Sequence, residues 1–112
     1  VRFAGRVSDE DLDGLRRGAA VAVVPSRFAE TFGLSAAETM ALGLPVAATR
    51  VGALGDLLPR EDLVAPGDAP ALAALIAARW GDRAAGQRGS EHVARHAAPA
   101  AVAAALAAVY AG

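Results

Sequence analysis

Pro25-Ser26-Arg27-Phe28-Ala29-Glu30-Thr31-Phe32-Gly33-Leu34-Ser35-Ala36-Ala37-Glu38 takes the chain from an apolar strand through a loop into a helix, with a carboxylate on either side of the helix start. Behind this stretch, Ala20 to Val24 is a continuous apolar, β-rich run stopped by Pro25-Ser26, the pattern of a central parallel strand buried on both faces. Ahead of it, Ser35 to Leu42 reads as a compact helix closed by Gly43 as C-cap, and Pro45-Val46-Ala47-Ala48-Thr49 as a second short strand. Strand, helix and strand in that order indicate an α/β unit with a mainly parallel sheet, whose ligands bind at the carboxyl ends of the strands. The loop after Val24 is such an end.

Further out, Val1 to Val7 reads as a short strand ending at Gly5. Ser8 follows as an N-cap, with Asp9, Glu10 and Asp11 loading the first turn of a helix that runs to about Gly18. In that helix Leu12 and Leu15 share a face, and Arg16 and Arg17 lie at the C-terminal end, where cations are favoured. Downstream, Gly52-Ala53-Leu54-Gly55-Asp56 reads as a glycine-containing turn, and Asp62-Leu63-Val64-Ala65 as a last strand ended by Pro66-Gly67. Asp68 caps a helix with Pro70 near its start. Leu72, Leu75, Ile76 and Trp80 fall on one face of it. Gly81 to Ser90 reads as a polar joint between helices, and a terminal helix from Pro99 carries Val102, Leu106, Val109 and Tyr110 at helical spacing.

With 112 residues the chain is one small domain or a piece of a larger one, and a 54% hydrophobic fraction suffices for a core. Much of that fraction is alanine, and aromatics are only 4%, so the core is thin and rests on Leu and Val. A net charge of −1 with the eleven basic residues spread along the chain leaves no electrostatic footprint for nucleic acid. Cysteine is absent, which excludes disulfides and Cys-based zinc sites and fits a cytoplasmic, reducing compartment. No apolar run approaches the roughly 20 residues that span a bilayer. The chain opens directly inside an apolar run at Val1, which reads as a domain cut on its N-terminal side.

Backbone N–H groups around Phe32, Gly33 and Leu34 would point out of the helix N-terminus, and Gly33 lets a ligand approach the main chain, so the helix start is a phosphate seat. Neither GxGxxG nor GxxxxGK[ST] occurs, which disfavours a dinucleotide or P-loop reading. Carboxylates accept from vicinal hydroxyls, so Glu38 could hold a ribose and Glu30 a transferred sugar, with Arg6 and Arg27 near the relevant strand ends. Plainer readings stand beside these. Ser35 and Glu38 also form a capping box, with Ser35 at N-cap and Glu38 at N3, and Glu30 alone is an ordinary solvated loop acid.

The combination is more specific than its parts. Val24-Pro25-Ser26, Glu30-Thr31-Phe32-Gly33-Leu34, Glu38-Thr39-Met40-Ala41-Leu42-Gly43-Leu44-Pro45-Val46 and Gly52-Ala53-Leu54-Gly55-Asp56 together resemble the C-terminal, donor-binding lobe of retaining GT-B glycosyltransferases of family 4, or group 1. The likeness extends from Val1 to about Leu72 and more loosely through the terminal helices. It implies a partial Rossmann-like lobe with a short, mainly parallel sheet flanked by helices, residues 1–112 being a partial nucleotide-sugar-binding domain and 97–112 its terminal helix. It also implies a nucleotide-diphosphate sugar as donor substrate, no cofactor and no metal. Position by position, the resemblance gives Glu30 the catalytic contact to the donor sugar and the amides of Thr31, Phe32, Gly33 and Leu34 the sugar and diphosphate. Glu38 takes the ribose hydroxyls, and Gly5, Arg6 and Val7 the base pocket. Gly55 stands where proline is common and Asp56 where glutamate is common. Arginine and lysine clamps for the diphosphate, and an N-terminal lobe for the acceptor, would come from upstream as partners within the same protein.

The resulting expectation is a glycosyltransferase part that binds the donor for retaining transfer to an acceptor the sequence does not identify. A non-catalytic nucleotide-sugar-binding fragment, and another GT-B enzyme such as a sugar-nucleotide epimerase or a phosphorylase, remain open alternatives. His92 and His96 are four apart with no third ligand and read as a solvated face, and Trp80 and Tyr110 read as packing residues.

Overall fold

Ser8 starts the first helix as its sequence context requires: the hydroxyl accepts a hydrogen bond from the Asp11 N–H at 3.1 Å. Helix α1, Asp9–Gly18, carries Asp9, Glu10 and Asp11 in its first turn and Arg16 and Arg17 in its last, each sign at the favourable end of the helix dipole. In this computed structural model residues 1–28 and 34–96 are described, excepting the side chains of Leu34 and His96.

Strand β1, Ala22–Val24, leads to helix α2, Leu34–Ala41, and strand β2, Val46–Thr49. Gly43 closes α2 at φ +78, a left-handed conformation that glycine adopts without penalty, and its N–H reaches the Met40 carbonyl at 2.9 Å. A short helix α3, Leu54–Leu57, and a 3-10 turn, Arg60–Asp62, precede strand β3, Leu63–Val64. Helix α4, Ala69–Arg79, begins with Pro70 and with Asp68 accepting from the Ala71 N–H at 3.0 Å. Helix α5, Arg83–His96, follows, and the Asp82 carboxylate accepts from the Ala85 N–H at its start.

The three strands form one parallel sheet in the order β1-β2-β3, with Ala22 opposite Val46, Val24 opposite Ala48, and Ala48 opposite Leu63. The fold is therefore α/β, a short parallel sheet flanked by helices. All four residues of β2 are buried. Val46 and Ala48 join the core cluster with Ala36 and Met40 of α2, Leu54 and Leu57 of α3, Leu63 of β3 and Val93 of α5. Because side chains alternate along a strand, Ala47 and Thr49 face the other way, and α4 also packs on β2.

Five expectations are corrected here. Val1 to Val7 is not a strand: it is irregular and largely exposed, with Val1 and Phe3 bare, and no described strand pairs with it. An isolated apolar run has no ladder to satisfy its backbone, so pattern alone does not make it a strand. Among the described residues Ala20 to Val24 is not the central strand: β1 pairs on one side only, with β2, and Val23 is exposed, while β2 is the strand buried on both faces. Gly52 to Asp56 is more than a turn, because Leu54 and Leu57 are buried and wind the segment into α3.

The joint expected at Gly81 to Ser90 is confined to residues 80–82, with Gly81 at φ +67, since α5 starts at Arg83 and runs unbroken through Gly86 and Gly89. Those glycines serve close packing: a β-carbon on Gly86 would clash with the Gly43 carbonyl, and one on Gly89 would touch Met40. Trp80 is 68% exposed at the end of α4 and packs no core. The terminal helix from Pro99, with Val102, Leu106, Val109 and Tyr110, lies outside the described residues.

Candidate functional site

The carboxyl edge of the sheet is built around Thr49, the last residue of β2. Thr49 is 3% exposed, and its hydroxyl donates to the Ser26 carbonyl at 2.6 Å, with the Val24 carbonyl as a more distant acceptor at 3.4 Å. This bond ties the first residues after β1 to the end of β2, so the loop leaves the sheet from a fixed point. Arg50 extends the ladder past Thr49 through its N–H to the Val64 carbonyl at 2.8 Å. At this edge Pro25, Arg27, Thr49 and Leu72, together with Gly67 to Ala69, line an open cleft of about 250 Å³.

Glu38 is the fifth residue of α2, and its side chain is 64% exposed. Its Oε2 accepts from Arg16 Nη1 at 3.0 Å, while Arg16 Nη2 donates to the Ser35 hydroxyl at 3.2 Å. Arg16 thus reaches from the last turn of α1 to two side chains three positions apart on α2. Thr39 donates to the Ser35 carbonyl at 2.7 Å and is itself buried.

This arrangement corrects the capping-box reading. α2 begins at Leu34, so Ser35 lies inside the helix rather than at its N-cap, and Glu38 lies just beyond the first turn, which holds no acidic residue. The Ser35 hydroxyl is occupied by Arg16 instead of capping the helix. Glu38 therefore reaches outward from the helix, where a ligand's hydroxyl groups could meet it.

Of the other site residues expected from sequence, Glu30, Thr31, Phe32 and Gly33 lie outside the described residues, and Leu34 is the first residue of α2. Gly5 and Arg6 are exposed in the irregular N-terminal segment, Gly5 at φ +66, and Val7 is half-buried. Val7 lines an open hollow of about 790 Å³ against Glu10, Asp11 and Leu15 of α1, so these residues adjoin α1 rather than end a strand. Arg27 is exposed at the carboxyl edge. His92 is half-buried on α5, not on a solvated face, and no cluster of three His, Cys, Asp or Glu suited to a metal occurs among the described residues. No helix there is long and apolar enough to cross a membrane.

Two residues of the site escape the sequence reading. Thr49 gives a signal, as a polar residue ending an otherwise apolar strand. Arg16 gives none beyond its favourable place at a helix end, because its partners are 19 and 22 positions away.

A protein-family model described as glycosyl transferases group 1 matches residues 1–82. The chain is 39% identical over 80 residues to the MMP alpha-(1->4)-mannosyltransferase of Mycolicibacterium hassiacum, covering 68% of this chain and 19% of that protein. It is 37% identical over 90 residues to a glycogen synthase of Mycobacterium tuberculosis, covering 78% of this chain and 22% of that protein. Among solved structures, sucrose-phosphate synthase from Thermosynechococcus elongatus superposes with a TM-score of 0.79 at 38% identity, over 98% of this chain and 29% of that one. The chain spans about a fifth of the length of the curated relatives it matches.

Proposed function

This chain belongs to the glycosyl transferases group 1 family, with the α/β architecture of part of a GT-B lobe, and from that premise we propose that it is the donor-binding part of a retaining glycosyltransferase. Its substrate on this reading is a nucleotide-diphosphate sugar, and its acceptor is bound by a lobe beyond this chain. The observation that carries the reading is Glu38, an exposed carboxylate that Arg16 engages on α2, the helix that follows β1 in the chain. That is the placement a ribose needs if the diphosphate lies against the helix start.

In this mechanism Glu38 accepts hydrogen bonds from the ribose hydroxyls, and Gly5, Arg6 and Val7 line the base. The amides of Thr31, Phe32, Gly33 and Leu34 face the sugar and the diphosphate, and Glu30 contacts the donor sugar at the reacting centre. The bond between the anomeric carbon and the diphosphate breaks, its electron pair passing to the diphosphate oxygen. An acceptor hydroxyl bonds to that carbon with retained configuration, its proton passing to the departing diphosphate oxygen. Charge growing on the diphosphate is stabilised by the N-terminal end of α2 and by cations, of which Arg27 at the carboxyl edge is one. The reaction on this account requires no metal or cofactor and takes place in the cytoplasm.

The test is kinetic, on the full-length protein that contains this chain, with a panel of nucleotide sugars. Glu38→Ala should weaken donor binding and raise KM, whereas Glu30→Ala should mainly lower kcat. Near-wild-type kinetics in both variants would remove the site assignment. Donor binding without any transfer would instead identify a binding module.

A further inference from the structure

We propose that Arg16 is a positioning residue for nucleotide recognition, orienting the Glu38 carboxylate toward the ribose hydroxyls. The inference rests on the reading of Glu38 given above and adds a residue from a different helix to it. Helix α1 has no buried residue, yet the Arg16 side chain is only 14% exposed, because it is drawn against α2. Its guanidinium uses two nitrogens on two acceptors, Nη1 on Glu38 Oε2 and Nη2 on the Ser35 hydroxyl.

The geometry of that fork matters more than its charge. A guanidinium is planar, so fixing Nη2 on Ser35 fixes the direction from which Nη1 meets Glu38. Ser35 is in turn part of the rigid helix, one turn before Glu38. An otherwise solvated glutamate, free to sample several rotamers, is thereby held in one. Arg16 engages Oε2, and among the described residues no hydrogen bond engages Oε1. As far as the described residues go, Oε1 and further lone pairs are left for a vicinal diol. Ordering the receptor group before the ligand arrives removes part of the entropic cost of binding.

The experiment is calorimetric titration of the full-length protein with ADP, GDP and UDP, and with the 2′,3′-dideoxy form of whichever binds. The wild type should prefer the ribonucleotide, and Glu38→Ala should erase the preference. Arg16→Ala should reduce ribonucleotide affinity by about tenfold while leaving the dideoxy affinity unchanged. Arg16→Lys, which keeps the stem and charge but not the fork, should fall between. The double variant Arg16→Ala/Glu38→Ala should match Glu38→Ala alone.

Equal losses for ribonucleotide and dideoxynucleotide in both Arg16 variants would overturn the inference and leave Arg16 a strut between helices. An intact ribonucleotide preference in the Arg16 variants would overturn it as well. If Glu38→Ala itself retains the preference, the ribose reading of Glu38 fails first, a result distinct from failure at Arg16.

Discussion

Gly86 of α5 lies directly against the carbonyl of Gly43, the residue that closes α2: a β-carbon at position 86 would stand 2.9 Å from the Gly43 carbonyl carbon, closer still to its oxygen, and 3.3 Å from Pro45 Cδ. The obstructing atoms are backbone at a glycine held at φ +78, so they cannot swing aside as a side-chain tip would. Gly86→Ala should therefore destabilise the protein by about 3 kcal/mol, despite the better helix propensity of alanine. Urea unfolding followed by circular dichroism checks it, and an unchanged midpoint would refute the close approach.

Gly89, one turn later on the same helix, should behave in the opposite way. A β-carbon there meets only Met40 side-chain atoms at 3.7 to 4.0 Å, ordinary van der Waals contact. Gly89→Ala should then gain up to about 1 kcal/mol from helix propensity and reduced freedom of the unfolded chain. The same urea titration reads both glycine variants, and opposite signs are the expected result.

Asp62 and Arg79 form an ion pair of 2.6 Å with side chains 7% and 14% exposed, and Arg79 also donates to the Glu61 carbonyl at 3.1 Å. The pair fastens the end of α4 to the turn that enters β3. Asp62→Ala removes the nearer of two carboxylates from a largely buried guanidinium, leaving Asp82 at 4.0 Å, and should cost about 2 kcal/mol. Asp62→Asn, which keeps the shape and an acceptor oxygen, should cost less. Thermal unfolding of the two variants separates them, and equal losses would mean that the pair's charge is immaterial.

These elements show which parts of the fold are legible in sequence. Helix starts at Ser8 and Asp68 can be read because the capping side chain sits beside the backbone it serves, and Gly43 can be read because one residue type suits its conformation. The buried strand β2 is visible as a run without polar interruption. Position within the sheet is not a local property, which is why β1 reads as central when among the described residues it pairs with β2 alone, and why Val1 to Val7 reads as a strand with no described neighbour to pair with. Gly86 and Gly89 mislead for the same reason: a glycine that breaks a helix and one that lets another backbone approach look alike until the neighbour is known. The candidate site divides similarly. Glu38 is marked by its surroundings in the chain, whereas its orientation depends on Arg16, brought from 22 positions away.

Thr49 gives the last test, because its role joins fold to site. The hydroxyl holds the Ser26 carbonyl at 2.6 Å, and Glu30 follows Ser26 by four residues in the sequence. Thr49→Val keeps the shape and burial of the strand end but removes this donor to the Ser26 carbonyl. Stability should fall by only about 1 kcal/mol, the net value of such a bond. On the proposed reading, in which Glu30 contacts the donor sugar, the larger effect should be on turnover, because Thr49 fixes where the segment leading to Glu30 leaves the sheet. In the full-length protein kcat should drop by about tenfold or more while nucleotide affinity, which the proposed function assigns to Glu38, stays close to wild type. Thr49→Ser, which restores the donor, should recover most of the rate. A Val variant with unchanged kcat would show that the anchor at Ser26 does not govern the loop's chemistry.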